Sequence, residues 1–297
     1  MASPELQMVI DLMRNAPPLP PDASFAKQRE SLEQLVAMAP PLSDVQCVPV
    51  DAGGVPAEWV TAPGAREDHT ILYLHGGGYC IGSINTHRAL AADLSRAAAG
   101  RVLLVDYRLG PEHVFPAAVD DATAAYRFMI GGGIRPARAA IAGDSAGGGL
   151  TVAALLALRD AGDKLPAAGV CLSPWLDLTM SGASMDGKAA LDPMVQRDRL
   201  QRLADAYLGK SDAQHPLASP LFADLQGLPP LLVHVGTAET LLDDSTRFAE
   251  RARRADVDVT LDVWDDMIHV WHAFGSVLPE ARQAIERIGA FLQRRWT

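Results

Sequence analysis

The chain has 297 residues, 48% hydrophobic and 21% charged: enough apolar material for a large buried core, and too few charges for disorder over most of its length. A formal net charge of −10, with no Lys/Arg cluster set against it, excludes nucleic acid as a partner, because phosphates would be repelled. Three cysteines (Cys47, Cys80 and Cys171) without CxxC spacing argue against a disulfide framework and read as free thiols in a reducing compartment.

The N-terminal stretch MASPELQMVIDLMRNAPPLPP carries acids before any base and has no long apolar run. No secretory signal is expected there, and no run elsewhere is long enough to span a membrane. The expectation is a cytoplasmic protein without membrane insertion. Residues 5–13 place Leu6, Val9, Ile10 and Met13 on one helical face, and Pro17, Pro18, Pro20 and Pro21 then break the chain. A second amphipathic stretch carries Leu32, Leu35, Val36 and Ala39 and stops at Pro40-Pro41. These two helices form an appendage without a core of their own.

From about residue 45, short β-rich runs alternate with longer helical ones. Strands are expected at Val45–Val50, Ala57–Thr61, Thr70–His75, Arg101–Asp106, Ala139–Gly143, Gly169–Ser173, Leu231–Gly236 and Val257–Trp264. Helices are expected at about 87–99, 117–130, 146–160, 243–255 and 280–295. Runs such as VLLVD and LLVHV are apolar on successive residues, as strands covered on both faces must be. The alternation predicts an α/β fold with an open, mostly parallel sheet. The first two strands, joined across Gly53-Gly54, should make an antiparallel hairpin at one edge. Residues 175–225 hold no clear strand, and an insertion after a strand's C-terminal end lies where such sheets bind ligands.

Chemistry enters at Gly143-Asp144-Ser145-Ala146-Gly147, a G-x-S-x-G run between an apolar strand and an alanine-rich helix. That is the setting of a nucleophile elbow: the serine sits on a sharp, strained turn, and the amide of Ala146 faces the reacting centre from a helix N-terminus. Upstream, His75-Gly76-Gly77-Gly78-Tyr79 follows the third strand. Glycines there let backbone amides approach a developing oxyanion, so Gly77, Gly78 and Ala146 are the expected donors. His75 is read as an anchor of this loop rather than a base. A phosphate-binding loop is excluded by the missing Lys-Ser/Thr and G-x-G-x-x-G spacing.

The order Ser, acid, His of this fold directs attention to the last two strands. His269 lies in the loop after the final strand, with His272 its rival one turn on, while His234 falls inside a strand. Glu239 is the first acid after Leu231–Gly236. Asp243 and Asp244 open the next helix, where acids usually cap, and Asp243 remains the alternative. No His/Asp cluster has metal-ligand spacing, so neither metal nor organic cofactor is expected.

Taken together, His75–Tyr79, Asp106-Tyr107-Arg108-Leu109-Gly110-Pro111-Glu112-His113 with Phe115-Pro116-Ala117, Gly143–Gly148, Pro216–Leu221 and the Ile268-His269 loop resemble the bacterial hormone-sensitive-lipase family (family IV) of esterases. The likeness covers nearly the whole chain. It implies an eight-stranded α/β-hydrolase sheet and hydrolysis of short-acyl esters. It also implies a cap made of residues 1–44 and an insertion at about 175–225, set on a catalytic domain of residues 45–297. Homodimers are common in the family. Glu239 aligns where most members carry aspartate, Gly110 stands where alanine is usual, and Val114 replaces a frequent proline. Arg108–Glu112 is expected to be an ion-paired turn behind the oxyanion loop. Apolar residues of the cap segments, among them Leu6, Met13, Phe25, Leu203 and Tyr207, are candidates for an acyl pocket. The expected reaction is acyl transfer to Ser145, with His269 as base and Glu239 orienting it. An amidase or acyltransferase using the same residues, and a non-catalytic ligand receptor on the same scaffold, are the competing readings.

Overall fold

The computed structural model describes residues 3–17, 20, 22–38 and 41–297. Pro18, Pro21, Ala39 and Pro40, named above as breakers or helix residues, lie outside them. Eight strands form one sheet in the order β1-β2-β4-β3-β5-β6-β7-β8. They are β1 (Gln46–Asp51), β2 (Pro56–Thr61), β3 (Arg66–Leu74), β4 (Gly100–Val105), β5 (Ala139–Asp144), β6 (Ala168–Leu172), β7 (Leu231–Gly236) and β8 (Val259–Trp264). β1 and β2 form the expected antiparallel edge hairpin, β2 pairs antiparallel with β4, and the remaining pairs are parallel. This is the α/β-hydrolase sheet.

The side-chain period of a strand explains the continuous apolar runs. In β4, Leu103 and Val105 join one core layer while Val102 and Leu104 join the other. The first layer packs under α4 (Ala117–Gly131), α5 (Ala146–Asp160) and α8 (Leu242–Arg254). The second lies under α3 (Ile84–Ala98) and α9 (Pro279–Arg295). α3 begins three residues before the expected 87, because Ser83 and Thr86 close a reciprocal capping box. β8 begins two residues after the expected 257. Val257 N–H still bonds Ala252 O at the end of α8, and Asp256 turns the chain at φ 58°.

The segment after β6 carries α6 (Ser184–Gly187) and α7 (Arg197–Leu208), with no strand among its residues. The N-terminal helices α1 (Pro4–Asn15) and α2 (Phe25–Val36) lie against it: Arg14 donates to Ala190 O, and Arg202 donates to Ala23 O. α1 departs from its expected role. Leu6 and Val9 are buried against Met267, Ile268 and Trp271, so Leu6 braces the loop after β8 instead of lining a pocket. No helix of the described residues is long and apolar enough to cross a membrane.

Candidate active site

Ser145 stands between the last residue of β5 and the first of α5 at φ 54°, ψ −120°. A non-glycine residue in such a region costs about 1–3 kcal/mol and persists only where its surroundings impose it. Here Ser145 N–H bonds Leu172 O at 2.8 Å, and its carbonyl accepts from Gly149 and Trp175 at 3.1 and 2.9 Å. Gly147 is required by close approach, since a Cβ there would lie 1.9 Å from Leu74 O. From Ala139 to Leu156 every residue is buried except Ser145, which is half-exposed. The turn therefore presents one hydroxyl from an otherwise sealed strand–helix unit.

The glycine loop lies alongside. Gly77 and Gly78 adopt φ 116° and 60°, and among the described residues the N–H groups of Gly77, Gly78 and Ala146 have no acceptor. Asp144 holds the loop down by accepting Gly76 N–H at 3.0 Å and Tyr73 Oη–H at 2.7 Å. Burial works to raise the Asp144 pKa, but His87, Tyr73 and His75 outweigh it and bring it to about 2. His75 is an anchor, as expected: its Nδ1 donates to Gly76 O at 2.7 Å and its ring stacks on Tyr107 at 4.3 Å. Burial and the nearby His87 push its pKa down to about 3, so it stays neutral.

The ion-paired turn expected at Arg108–Glu112 takes another form. Arg108 pairs with Asp121 on α4 at 2.7 Å, and Glu112 pairs with Arg29 on α2 at 2.7 Å. The reason is reach: Arg29 also donates to Cys80 O and Gly110 O, bridging both loops from outside.

Parallel registry brings the remaining groups to the same sheet edge. Asp144 is opposite Leu172, so Ser145 and Ser173 follow on adjacent strand ends, about 4.8 Å apart between strands. Glu239 Oε1 accepts Gly236 N–H at 2.6 Å and Ser173 Oγ–H at 2.7 Å, while Oε2 faces His269 Nδ1 at 2.9 Å. Ser173 Oγ in turn accepts Val270 N–H at 3.1 Å, fixing the histidine loop to the acid. Burial opposes the charged form of His269, but Glu239, assisted by Asp192 and Asp144, raises its pKa above 6.5. Such a ring is held in one tautomer, with Nε2 left for a second partner.

The rival residues are occupied elsewhere. Asp243 accepts Ser184 N–H at 2.9 Å. Asp244 accepts Leu176 and Asp177 N–H at 2.8 and 2.9 Å, and burial beside Asp177 lifts its pKa to about 8. His272 and His234 face each other at 3.1 Å, both buried and both with depressed pKa values from desolvation. Two contributors escaped the sequence reading. One is Ser173. The other is Asp192, whose Oδ2 accepts Thr240 N–H at 2.9 Å and whose Oδ1 accepts the N–H groups of Met194 and Val195, both at 2.9 Å. The Asp192-Pro193 step was the available signal, since Asp before Pro favours this kind of turn.

α7 roofs the loop. Tyr207 stacks on Tyr79 at 3.8 Å, and a Cβ on Gly78 would lie 2.6 Å from Leu203 Cδ1. Beyond Leu203 opens a cavity of about 710 Å³ with Met13, Phe25 and Arg199 also in its wall. Among the described residues no group of three His, Cys, Asp or Glu could hold a metal ion.

Residues 71–273 match the family model of the alpha/beta hydrolase fold. The chain is 47% identical to an acetyl-hydrolase of Streptomyces hygroscopicus, over 99% of this chain and 97% of the relative. It is 39% identical to an esterase of Acinetobacter venetianus, over 89% of this chain and 87% of that one. The crystal structure of an esterase from the bacterial hormone-sensitive lipase family superposes with a TM-score of 0.96 at 52% identity, over 100% of both chains.

Proposed function

The chain belongs to the bacterial hormone-sensitive-lipase family of α/β-hydrolase-fold carboxylesterases, and from that premise we propose that it cleaves short-chain acyl esters through Ser145, His269 and Glu239. The observation that carries this reading is the buried His269 Nδ1–Glu239 contact of 2.9 Å at the sheet edge where Ser145 is held in its strained turn.

His269 Nε2 takes the Ser145 proton as the hydroxyl attacks the ester carbonyl. The oxygen that becomes negative is received by the unspent amides of Gly77, Gly78 and Ala146, with the N-terminal end of the 15-residue helix α5 behind it. His269 then protonates the departing alcohol and later activates water against the acyl-enzyme. Glu239 keeps the imidazole oriented and stabilises its charged form without taking a proton. Residues 1–44 and about 175–225 act as the cap on the catalytic domain of residues 45–297. The preference for short acyl chains is supported by the family resemblance and by the acetyl-hydrolase relative.

A p-nitrophenyl ester series from acetate to octanoate tests the reading. Turnover should peak at two to four acyl carbons and fall by at least ~10⁴-fold in Ser145→Ala. Near-wild-type turnover by Ser145→Ala would reject the nucleophile. A maximum at eight carbons would reject the short-chain assignment while leaving the triad intact.

A further inference from the structure

The cavity of about 710 Å³ between α1, α2 and α7 is mixed in character. Met13, Phe25 and Leu203 make an apolar wall, yet Arg14, Arg199 and Arg202 line the same space against one carboxylate, Asp198. Three cations and one anion are a local inversion in a chain whose net charge is −10. A neutral short acyl group needs no such charges, and in an otherwise apolar pocket a few placed polar groups are what orient a ligand.

Two of the guanidiniums, Arg14 and Arg199, have no carboxylate paired with them among the described residues, and both side chains are exposed at the cavity rim. Arg14 donates to the carbonyl of Ala190 at 3.2 Å, a neutral acceptor. Arg202 is fastened to Ala23 O and lies over the Phe25 ring at 4.9 Å, which orients that part of the wall.

The position of Arg199 ties the cavity to the reaction centre. Arg199 and Leu203 are four residues apart on α7 and share a face. Leu203 rests on Gly78. One helical turn is about 5.4 Å, so the Arg199 backbone stands roughly that far along the helix from the residue covering the oxyanion loop.

We propose that this cavity selects esters carrying a carboxylate a few bonds from the scissile carbonyl, with Arg199 as the counter-charge. The assignment rests on the reading of Ser145 as nucleophile. The planar guanidinium offers a forked pair of donors to a carboxylate. The whole-chain field repels anions at long range, so the selection is a short-range one made inside the cavity.

Two matched pairs of substrates test it: 4-acetoxybenzoate against 4-acetoxybenzamide, with the anion on the alcohol side, and mono-4-nitrophenyl adipate against 4-nitrophenyl hexanoate, with the anion on the acyl side. The ratio of kcat/KM for the anionic over the neutral member should exceed ~5-fold in at least one pair. It should collapse in Arg199→Gln, survive largely in Arg199→Lys, and decline as salt rises from 20 to ~500 mM. No preference in either pair, or a preference that Arg199→Gln leaves in place, overturns the proposal. Should Arg199→Gln fold poorly by circular dichroism, the salt titration of the unaltered enzyme decides: a ratio that does not move with salt overturns it. Ser145→Ala separates the two readings. If it abolishes turnover of all four esters, a missing charge preference counts against the cavity alone; if it does not, the nucleophile assignment itself has failed.

Discussion

Asp192 Oδ2 accepts both the N–H and the hydroxyl of Thr240, at 2.9 and 3.2 Å, from the opposite side of Glu239's loop. Its other oxygen gathers the N–H groups of Met194 and Val195. Ser184 joins from the same inserted segment by donating to Thr240 O at 2.6 Å and accepting Asp243 N–H at 2.9 Å. The segment after β6 is thus bonded to the acid loop as well as lying over the site. Asp192→Ala strands several buried donors, so unfolding in urea should show a loss of about 3 kcal/mol. Displacing the acid by a fraction of an ångström should also lower kcat by about 10- to 100-fold with KM less affected. Unchanged kcat in a destabilised but folded variant would reduce Asp192 to a structural bond.

Replacing Glu239 and replacing Asp243 should have very different consequences. Glu239→Gln keeps the shape but removes the charge beside His269, and the expected cost is on the order of 10⁴-fold in kcat. Asp243→Ala removes an acceptor from Ser184 N–H at 2.9 Å and should cost less than about tenfold. Steady-state kinetics with p-nitrophenyl butyrate distinguishes the two, and the reverse ranking would move the acid to Asp243.

The pH–rate profile follows from the His269 environment. A base must be neutral to accept the serine proton, so activity rises as His269 loses its own proton. Burial, the largest single influence, lowers its pKa, but Glu239 with help from Asp192 and Asp144 outweighs it, which places the midpoint of the acid limb of kcat/KM above 6.5. In Glu239→Gln the opposing burial remains without the carboxylate, and the midpoint of the residual activity should move down from that of the unaltered protein. A midpoint that does not move in that variant would contradict this account of the shift.

Stability should pass through a maximum as pH is varied. His75, His234 and His272 have depressed folded pKa values, so as pH falls through the ordinary imidazole range the unfolded chain takes up protons on them more readily than the native fold does. His269 and Asp244 have raised folded values, so their contribution is present at low pH and is lost as pH rises, through about 8 for Asp244. On the acid side the protons taken up by His75, His234 and His272 in the unfolded chain outweigh those kept by His269 and Asp244 in the fold, and stability falls on acidification. Above pH 7 the sign reverses. Urea titrations between pH 5 and 8 should trace this maximum; a monotonic rise across that range would show that Asp244 is ionised in the fold.

Much of this was legible in the residues because its causes are local. VLLVD and LLVHV announce strands covered twice, and the glycines around Ser145 announce a turn that admits no Cβ at Gly147. The unread parts join distant stretches. Ser173 reaches Glu239 across 66 positions, Asp192 reaches Thr240 across 48, and Arg29 reaches Glu112 across 83. Periodicity and spacing report nothing over such separations. The choice between Glu239 and Asp243 was of this kind too. Both follow β7 closely, and only the register of Gly236 N–H and Ser173 turns Glu239 toward His269, while α8, beginning at Leu242, carries Asp243 away.

The most direct measurement is mass spectrometric mapping of the protein after brief exposure to a fluorophosphonate. A single adduct on the peptide holding Ser145, formed orders of magnitude more slowly after His269→Ala, is the predicted result. Labelling that falls on another serine, or that proceeds at the same rate without the imidazole, would contradict the mechanism.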